Sequence, residues 1–221
     1  MLGNLPRGLF NFATRYLNNT LPNASNTFKW KTSGSQNCNF CHNVQTLGHV
    51  VGGCKTFLEE LRYNWRHDSI LQSICSFIPR NEMISVYADI PGYPSPSVIT
   101  GDDKRPDIIV KNSDTTWVLE LTAGYETNIQ KNFERKNATY STLLSELSVH
   151  FSNVTYVNLS MGACGVVGKD SNLLKFMKDL RLRPEDTAYH ISKIMNICIR
   201  STFYIFCRRN KDWDNPALMS W

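Results

Sequence analysis

Apolar residues recur along the chain with two different spacings, which predict helices towards both ends and strands in the middle. Residues 55–77 carry them at helical spacing, and the polar run His67-Asp68-Ser69 predicts a break into two helices, with Asp68 or Ser69 as the N-cap. Helical patterns also cover residues 127–148, 171–179 and 185–208, and strand patterns cover residues 84–90, 107–111, 116–122 and 154–161.

The predicted elements follow the order helix, three strands, helix, strand and then helices. This order predicts an α/β or α+β fold with a mixed central sheet flanked by helices. Residues 1–36 are rich in Asn, Thr, Ser and Gly, and we interpret them as a linker or the tail of a larger protein, with a short helix around residues 9–17.

Composition narrows the class of protein but does not name a function. The 221 residues fit one large domain or one domain with a small module, and 42% hydrophobic with 19% charged residues indicates a globular chain. The formal charge of +5 and the pI of about 8.8 suit a polyanionic partner such as nucleic acid. The seven cysteines are odd in number and mostly scattered, which is not typical of a secreted disulfide framework. The sequence also has no apolar run typical of a signal peptide or a membrane helix. We therefore expect a reducing compartment, the nucleus or the cytoplasm, and neither secretion nor a membrane.

A compact cluster of metal-binding residue types lies between residues 38 and 54. Its members follow the spacing Cys-x2-Cys-x7-His-x4-Cys and are Cys38, Cys41, His49 and Cys54. Three thiolates and one imidazole complete a tetrahedral zinc site with no open position, so we expect a structural zinc knuckle over residues 37–56. His42 is a competing ligand, but it directly follows Cys41, where binding would strain the loop. The alternative interpretation is free thiols with a surface histidine.

Two carboxylates flank a predicted turn between the second and third strands. If the turn centres on Ser113-Asp114, Val110 pairs with Trp117 and Asp107 pairs with Glu120. Directly opposed residues have Cβ atoms about 5 Å apart on one face of a sheet, and two carboxylates that close favour a cation between them. A Mg²⁺ or Mn²⁺ ion held there can polarise a phosphate and activate a water, which is the chemistry of phosphodiester hydrolysis.

The sequence leaves alternatives open for this pair and for its third member. A surface strand pair with ordinary carboxylates fits the spacing as well, and a register slip of one residue would place the two acids on opposite faces. Thr122 occupies the position where nucleases of the PD-(D/E)xK class carry a lysine. Lys136 on the following predicted helix can reach the site and orient the water, with Lys131 as the alternative, and Glu126 either contributes to the site or begins that helix.

Taken together, the cysteine-histidine cluster followed by Arg-Pro-Asp-x12-Glu resembles the C-terminal region of early-branching non-LTR (LINE-type) retrotransposon reverse transcriptase proteins. In those proteins a CCHC zinc knuckle precedes a restriction-like endonuclease of the PD-(D/E)xK type. The similar stretch covers residues 38–168, over half the chain. The resemblance implies a restriction-endonuclease-like domain over residues 57–221, with Asp107, Glu120 and Lys136 as its catalytic residues.

The same resemblance implies a metal-dependent DNA endonuclease that nicks target DNA for target-primed reverse transcription. Its expected partners are DNA, element RNA as a second candidate, and a reverse transcriptase region in a longer polyprotein. Such a region normally lies upstream, and the chain has no room for one, so we expect a fragment, a truncated copy or a stand-alone derivative. The alternatives are an inactive nuclease fold that binds DNA or RNA through its knuckle, and a zinc-stabilised interaction protein without DNA affinity.

Candidate DNA contacts lie beside the knuckle and beside the carboxylates. Arg62, Tyr63 and Arg66 belong to a stretch that mixes cations with stackable rings, and Arg105 is two residues before Asp107. The same stretch also suits a helix packed against the knuckle with Trp65 in the core, and the sequence favours neither interpretation.

Overall fold

A computed structural model describes residues 5–101 and 104–219, and its centre is a mixed sheet of four strands. The strands lie in chain order, with β1 (Ser85–Ala88), β2 (Ile108–Lys111) and β3 (Thr115–Gly124) antiparallel and β4 (Asn153–Gly162) parallel to β3. Parallel neighbours need a crossover, and the long helix α6 (Ile129–His150) provides it. The predicted mixed sheet flanked by helices is confirmed.

The remaining helical elements surround this sheet. In chain order the helices are α1 (Arg7–Leu17), α2 (Ala24–Lys29), α3 (Lys55–Glu59), α4 (Arg62–Phe77), α5 (Ser97–Thr100), α7 (Leu173–Asp179) and α8 (Pro184–Cys207). A π-helical turn covers His49–Gly53, and a 3-10 turn covers Glu126–Asn128. Within the described ranges, none of the helices is both long enough and apolar enough to cross a membrane.

The sheet is buried on both faces. Helix α6 covers one face, where Tyr140, Leu143 and Leu147 pack around Val118. The main core lies on the other face, where α4, α7 and α8 cover alternate residues of β3 such as Trp117 and Leu119. This alternation places successive side chains of β3 on opposite faces, as the period of a strand requires.

A second core lies around the cysteine-histidine cluster. It joins α1, the π-helical turn, α3 and the end of α8, and its buried members include Phe12, Val50, Val51, Phe57 and Phe206. Residues 7–29, which the sequence analysis assigned to a linker or tail, thus form two helices, of which α1 packs by burying its apolar stripe. The ring of Phe12 lies 5.1 Å from that of Phe203 and 5.7 Å from that of Phe206, measured between centroids.

The prediction of a helix break at His67-Asp68-Ser69 is wrong. Helix α4 runs through these residues without interruption, and the Ser69 hydroxyl donates to the Trp65 carbonyl within the helix. The break lies earlier, at Leu61, whose φ of 59° places it in the left-handed region between α3 and α4. Because α4 is continuous, it carries His67 and Asp68 to the sheet on a rigid element.

Candidate active site and metal centre

The four residues of the cysteine-histidine cluster converge on one point. Their ligand atoms, from Cys38, Cys41, His49 and Cys54, all lie within 4.8 Å of one another. The Sγ atoms of Cys38 and Cys54 are 4.0 Å apart, those of Cys54 and Cys41 are 3.7 Å apart, and Cys41 Sγ is 3.4 Å from His49 Nε2. Tetrahedral zinc with bonds of about 2.3 Å holds its sulfur ligands about 3.8 Å apart. The donor set and its spacing therefore fit a metal ion such as zinc.

Short-range hydrogen bonds shape this centre. The Cys38 amide donates to the Asn43 carbonyl, and the His42 amide donates to the Cys38 carbonyl, which folds the first two ligands into one tight loop. Burial lowers the pKa of His49, which favours the neutral imidazole that a metal binds. His42, the competing ligand, has a φ of 60° and an exposed side chain outside the group of four.

The hairpin that carries the two carboxylates has the predicted register. Val110 pairs with Trp117, Ile108 pairs with Leu119, and the Asn112 amide donates to the Thr115 carbonyl across the turn. Asp107 directly precedes β2, so the same register places it beside Glu120 of β3. The register slip that would have separated the two acids is excluded in the described structure.

Hydrogen bonds from two backbone amides hold the carboxylates of Asp107 and Glu120 close together. The Asp107 amide donates to Glu120 Oε2 at 3.3 Å, and the Leu121 amide donates to Asp107 Oδ2 at 2.7 Å. Glu120 is only 3% exposed, and burial together with the Asp107 charge raises its pKa, while Lys136 acts in the opposite direction. Two carboxylates that lie close together with little access to water repel each other, and a divalent cation between them would stabilise the pair.

Lys136 reaches this pair from α6. Its Nζ donates to Glu120 Oε1, and it lies 5.8 Å from the centroid of the Tyr140 ring one turn further along the helix. Lys131, the alternative lysine, has an exposed side chain on the same helix. Of the two candidates, Lys136 is the one that the structure brings to the carboxylates.

Thr122 and Glu126 take other positions. Within the described residues, the Thr122 hydroxyl is buried without a hydrogen-bond partner, and Thr122 forms part of the wall of the cleft that contains Glu120. Glu126 begins the 3-10 turn before α6, accepts from the Tyr16 hydroxyl of α1 and accepts from the Cys164 amide at 2.9 Å. Glu126 therefore connects α1 to the end of β4 and has no contact with the two carboxylates in the described structure.

His67 is a further member of the site that the sequence analysis did not identify. Its Nε2 lies 3.2 Å from Asp107 Oδ2, and its Nδ1 lies 3.0 Å from Asp68 Oδ1. Burial lowers the pKa of His67, but the charges and hydrogen bonds of the two aspartates outweigh it and raise the pKa to about 10. No local pattern predicts this contact, because 40 positions separate His67 from Asp107 and only the packing of α4 on the sheet joins them.

Arg62, a predicted DNA contact, is buried in the described structure. Its side chain has no exposed surface and lies 3.9 Å from the centroid of the Phe57 ring. It pairs with Glu60 at 2.5 Å and donates to the carbonyls of Arg208 and Lys211 at 2.9 and 3.0 Å. The guanidinium thus joins the start of α4 to the segment that follows α8.

Arg66, a second predicted DNA contact, is buried as well. Arg66 is 1% exposed, and it donates to the Ala123 carbonyl at 2.7 Å and to the Thr202 hydroxyl at 3.2 Å. Tyr63 is partly buried, and its hydroxyl lies within hydrogen-bond distance of the His49 carbonyl and the Cys54 amide. This stretch of α4 therefore connects the metal centre to the sheet, which is the packing alternative of the sequence analysis.

We expect Arg62→Ala to lower the free energy of unfolding by about 3 kcal/mol, because it leaves buried carbonyls without donors and opens a cavity beside Phe57. Arg105→Ala is the matched control: Arg105 is 48% exposed and pairs with Asp89 at 2.8 Å, so its loss should change stability by less than about 1 kcal/mol. Urea unfolding followed by circular dichroism measures both values. Equal stabilities for the two variants would contradict the structural role of Arg62.

Arg105 is the candidate DNA contact with an exposed side chain. It lies near Asp107, and its backbone carbonyl accepts from the Tyr140 hydroxyl at 3.2 Å. The cleft itself is open and is lined by polar residues from α4, β3, α6 and the position before β2, namely Tyr63, Asn64, His67, Asp107, Glu120, Thr122, Arg135 and Lys136. Cations and carboxylates thus share one opening on the surface.

Comparisons with known proteins do not assign the chain to a family. No protein-family profile matches the chain, and a search of the curated proteins finds no match.

Proposed function

We propose that the chain is a DNA endonuclease that hydrolyses phosphodiester bonds with the help of Mg²⁺ or Mn²⁺. The observation that carries the proposal is the meeting of Asp107, Glu120 and Lys136 in one open cleft, where the residue before β2 lies beside β3 and α6. Two oxygen ligands beside a lysine are the minimum set for a metal-assisted attack of water on a phosphate.

The residues of the cleft have separable roles in this proposal. Asp107 and Glu120 would hold the divalent ion, which supplies charge stabilisation for the phosphate oxygens and lowers the pKa of water. Lys136 is held by Glu120, and its ammonium orients the attacking water and faces the negative charge that develops on the phosphate. Arg135 and Arg105 are cations at the rim of the site or near it, where they can position the DNA backbone.

DNA as the substrate rests on the resemblance to restriction-like endonucleases of early-branching non-LTR retrotransposons, together with the net charge of +5. In this proposal the cut is a nick in target DNA, and element RNA and a reverse transcriptase region of a longer polyprotein are the further partners. The site of action would be the nucleus, or the cytoplasm before import. The zinc knuckle has a structural role, because its four ligands leave no position for a substrate.

The proposal is tested with supercoiled plasmid and the zinc-loaded full chain. We expect nicking in Mg²⁺ or Mn²⁺, none without a divalent ion, and a fall of about 100-fold for Lys136→Met, because a charged group that faces the reacting phosphate is lost. Lys131→Met is the control, and it should nick like the unmodified chain because Lys131 is exposed on the same helix. Nicking that needs no divalent ion, or equal loss from both lysine variants, would refute the proposed roles.

A DNA-binding or RNA-binding module without activity is the second candidate function. Thr122 in the position usual for the lysine is the observation that favours it. Salt-dependent DNA binding without any cleavage, in Mg²⁺, Mn²⁺ or Co²⁺, would support this second function and reject the first.

A further inference from the structure

His67 is fixed between two aspartates by contacts on both of its ring nitrogens. On one side Nδ1 lies 3.0 Å from Asp68 Oδ1, and on the other Nε2 lies 3.2 Å from Asp107 Oδ2. His67 and Asp68 are neighbours in the middle of α4, so the pair is presented by a rigid helix rather than by a loop. The ring is about one-quarter exposed and forms part of the wall of the cleft.

The orientation of the ring suits a metal ligand. In the structure both ring nitrogens face aspartate oxygens, as in a protonated ring. A divalent ion at Asp107 would displace the Nε2 proton to solvent, and the Nε2 lone pair would then face the ion while Nδ1 still donates to Asp68. Ligating histidines commonly have this arrangement, in which a carboxylate on one ring nitrogen fixes the ring while the other nitrogen binds the metal.

The distance between His67 and Asp107 is compatible with two ligands of one ion. Adjacent ligands of an octahedral divalent ion with bonds of about 2.1 Å lie about 3 Å apart. The separation of 3.2 Å between His67 Nε2 and Asp107 Oδ2 is close to that value. Glu120 adds an oxygen donor beside Asp107, because its Oε2 accepts from the Asp107 amide at 3.3 Å.

We propose that His67 is a nitrogen ligand of the divalent ion held by Asp107 and Glu120, that Asp68 is its positioning residue, and that the site therefore selects Mn²⁺ over Mg²⁺. The proposal rests on the metal site of the proposed function and names its third ligand. Nitrogen donors bind first-row transition ions well, whereas Mg²⁺ prefers oxygen ligands.

The test measures metal binding and not cleavage. Mn²⁺ is added to the zinc-loaded full chain without DNA, free Mn²⁺ is followed by electron paramagnetic resonance, and pulsed measurements detect the coupling of bound Mn²⁺ to a ring nitrogen. We expect that coupling in the unmodified chain and its loss in His67→Gln, with Mn²⁺ affinity lowered about tenfold and Mg²⁺ affinity changed much less. His150→Gln, at the exposed end of α6, is the control and should keep both.

A second variant distinguishes the loss of a metal ligand from a general loss of folding. Asp68→Asn leaves the His67 ring in place but removes the carboxylate that fixes it, so we expect Mn²⁺ affinity to fall while the nitrogen coupling remains. The proposal is overturned if the unmodified chain binds Mn²⁺ in an Asp107-dependent manner without nitrogen coupling, and in that case the two-carboxylate site stands. Binding of Mn²⁺ that Asp107→Asn does not weaken would instead reject the metal site of the proposed function itself.

Discussion

Asp107→Asn and Glu120→Gln are each expected to reduce nicking by about 10³-fold or more while leaving the fold intact. Each substitution keeps the shape of the side chain and removes one charged ligand of the divalent ion, and several kcal/mol of transition-state stabilisation depend on that ion. The fold should persist because neutralising either acid relieves the repulsion between them, which offsets the weakened pairing of Glu120 with Lys136 or of Asp107 with His67. Initial rates of plasmid nicking and thermal unfolding curves measure the two effects.

The matched control lies in the same hairpin. Asp114 is exposed in the turn between β2 and β3, and its side chain is remote from the cleft, so Asp114→Asn should nick at the unmodified rate. DNA binding by the two inactive variants should persist, because the cations of the cleft remain. Activity that survives both Asp107→Asn and Glu120→Gln would rule out the carboxylate pair as the catalytic centre.

Loss of the metal centre is expected to have the largest effect on stability. Cys54→Ser, or treatment with a strong zinc chelator, should lower the free energy of unfolding by several kcal/mol, because metal binding and folding of such small sites are coupled. Cys38 and Cys54 are each 1% exposed and belong to the second core, so the damage should extend from the knuckle to Phe57 and Phe206. Thermal unfolding with and without chelator measures the loss.

Cys207→Ser is the control for this experiment, since Cys207 is an exposed thiol at the end of α8. It should unfold at the same temperature as the unmodified chain and remain sensitive to the chelator. If the chelator leaves the unmodified chain unchanged, the cysteine-histidine cluster is not a structural metal site.

Local patterns were sufficient to predict the sheet and the carboxylate pair. The turn around Ser113-Asp114 set the register of β2 and β3, because a short turn leaves few ways to pair the strands that flank it. That register was enough to bring Asp107 beside Glu120, and the helical stripe of α6 placed Lys136 within reach. The spacing of Cys38, Cys41, His49 and Cys54 likewise predicted that their side chains converge, because all four residues lie within one short stretch of the chain.

The errors concern contacts between residues far apart in the chain. The sequence around Arg62 and Arg66 does not indicate that these two cations are buried. Their burial depends on acceptors from distant parts of the chain: the Arg208 carbonyl for Arg62, and the Ala123 carbonyl and the Thr202 hydroxyl for Arg66. The polar residues of His67-Asp68-Ser69 suggested a break, but the Asp107 carboxylate gives His67 a partner and allows α4 to continue. Polarity alone does not distinguish a solvent-facing position from one that meets a distant partner.

The second core contains residues that are synthesised at different times, so it can form only after α8 has been made. Cys38 to Cys54 leave the ribosome before Phe206 of α8, which helps to enclose them and follows about 150 residues later. At typical elongation rates that delay is about 10 to 30 s. Throughout it, the nascent chain presents its thiols to the surrounding solution, where zinc and other thiol-seeking agents compete for them. A metal ion that binds during this interval would be held on an open loop, and it would become enclosed only when α8 docks.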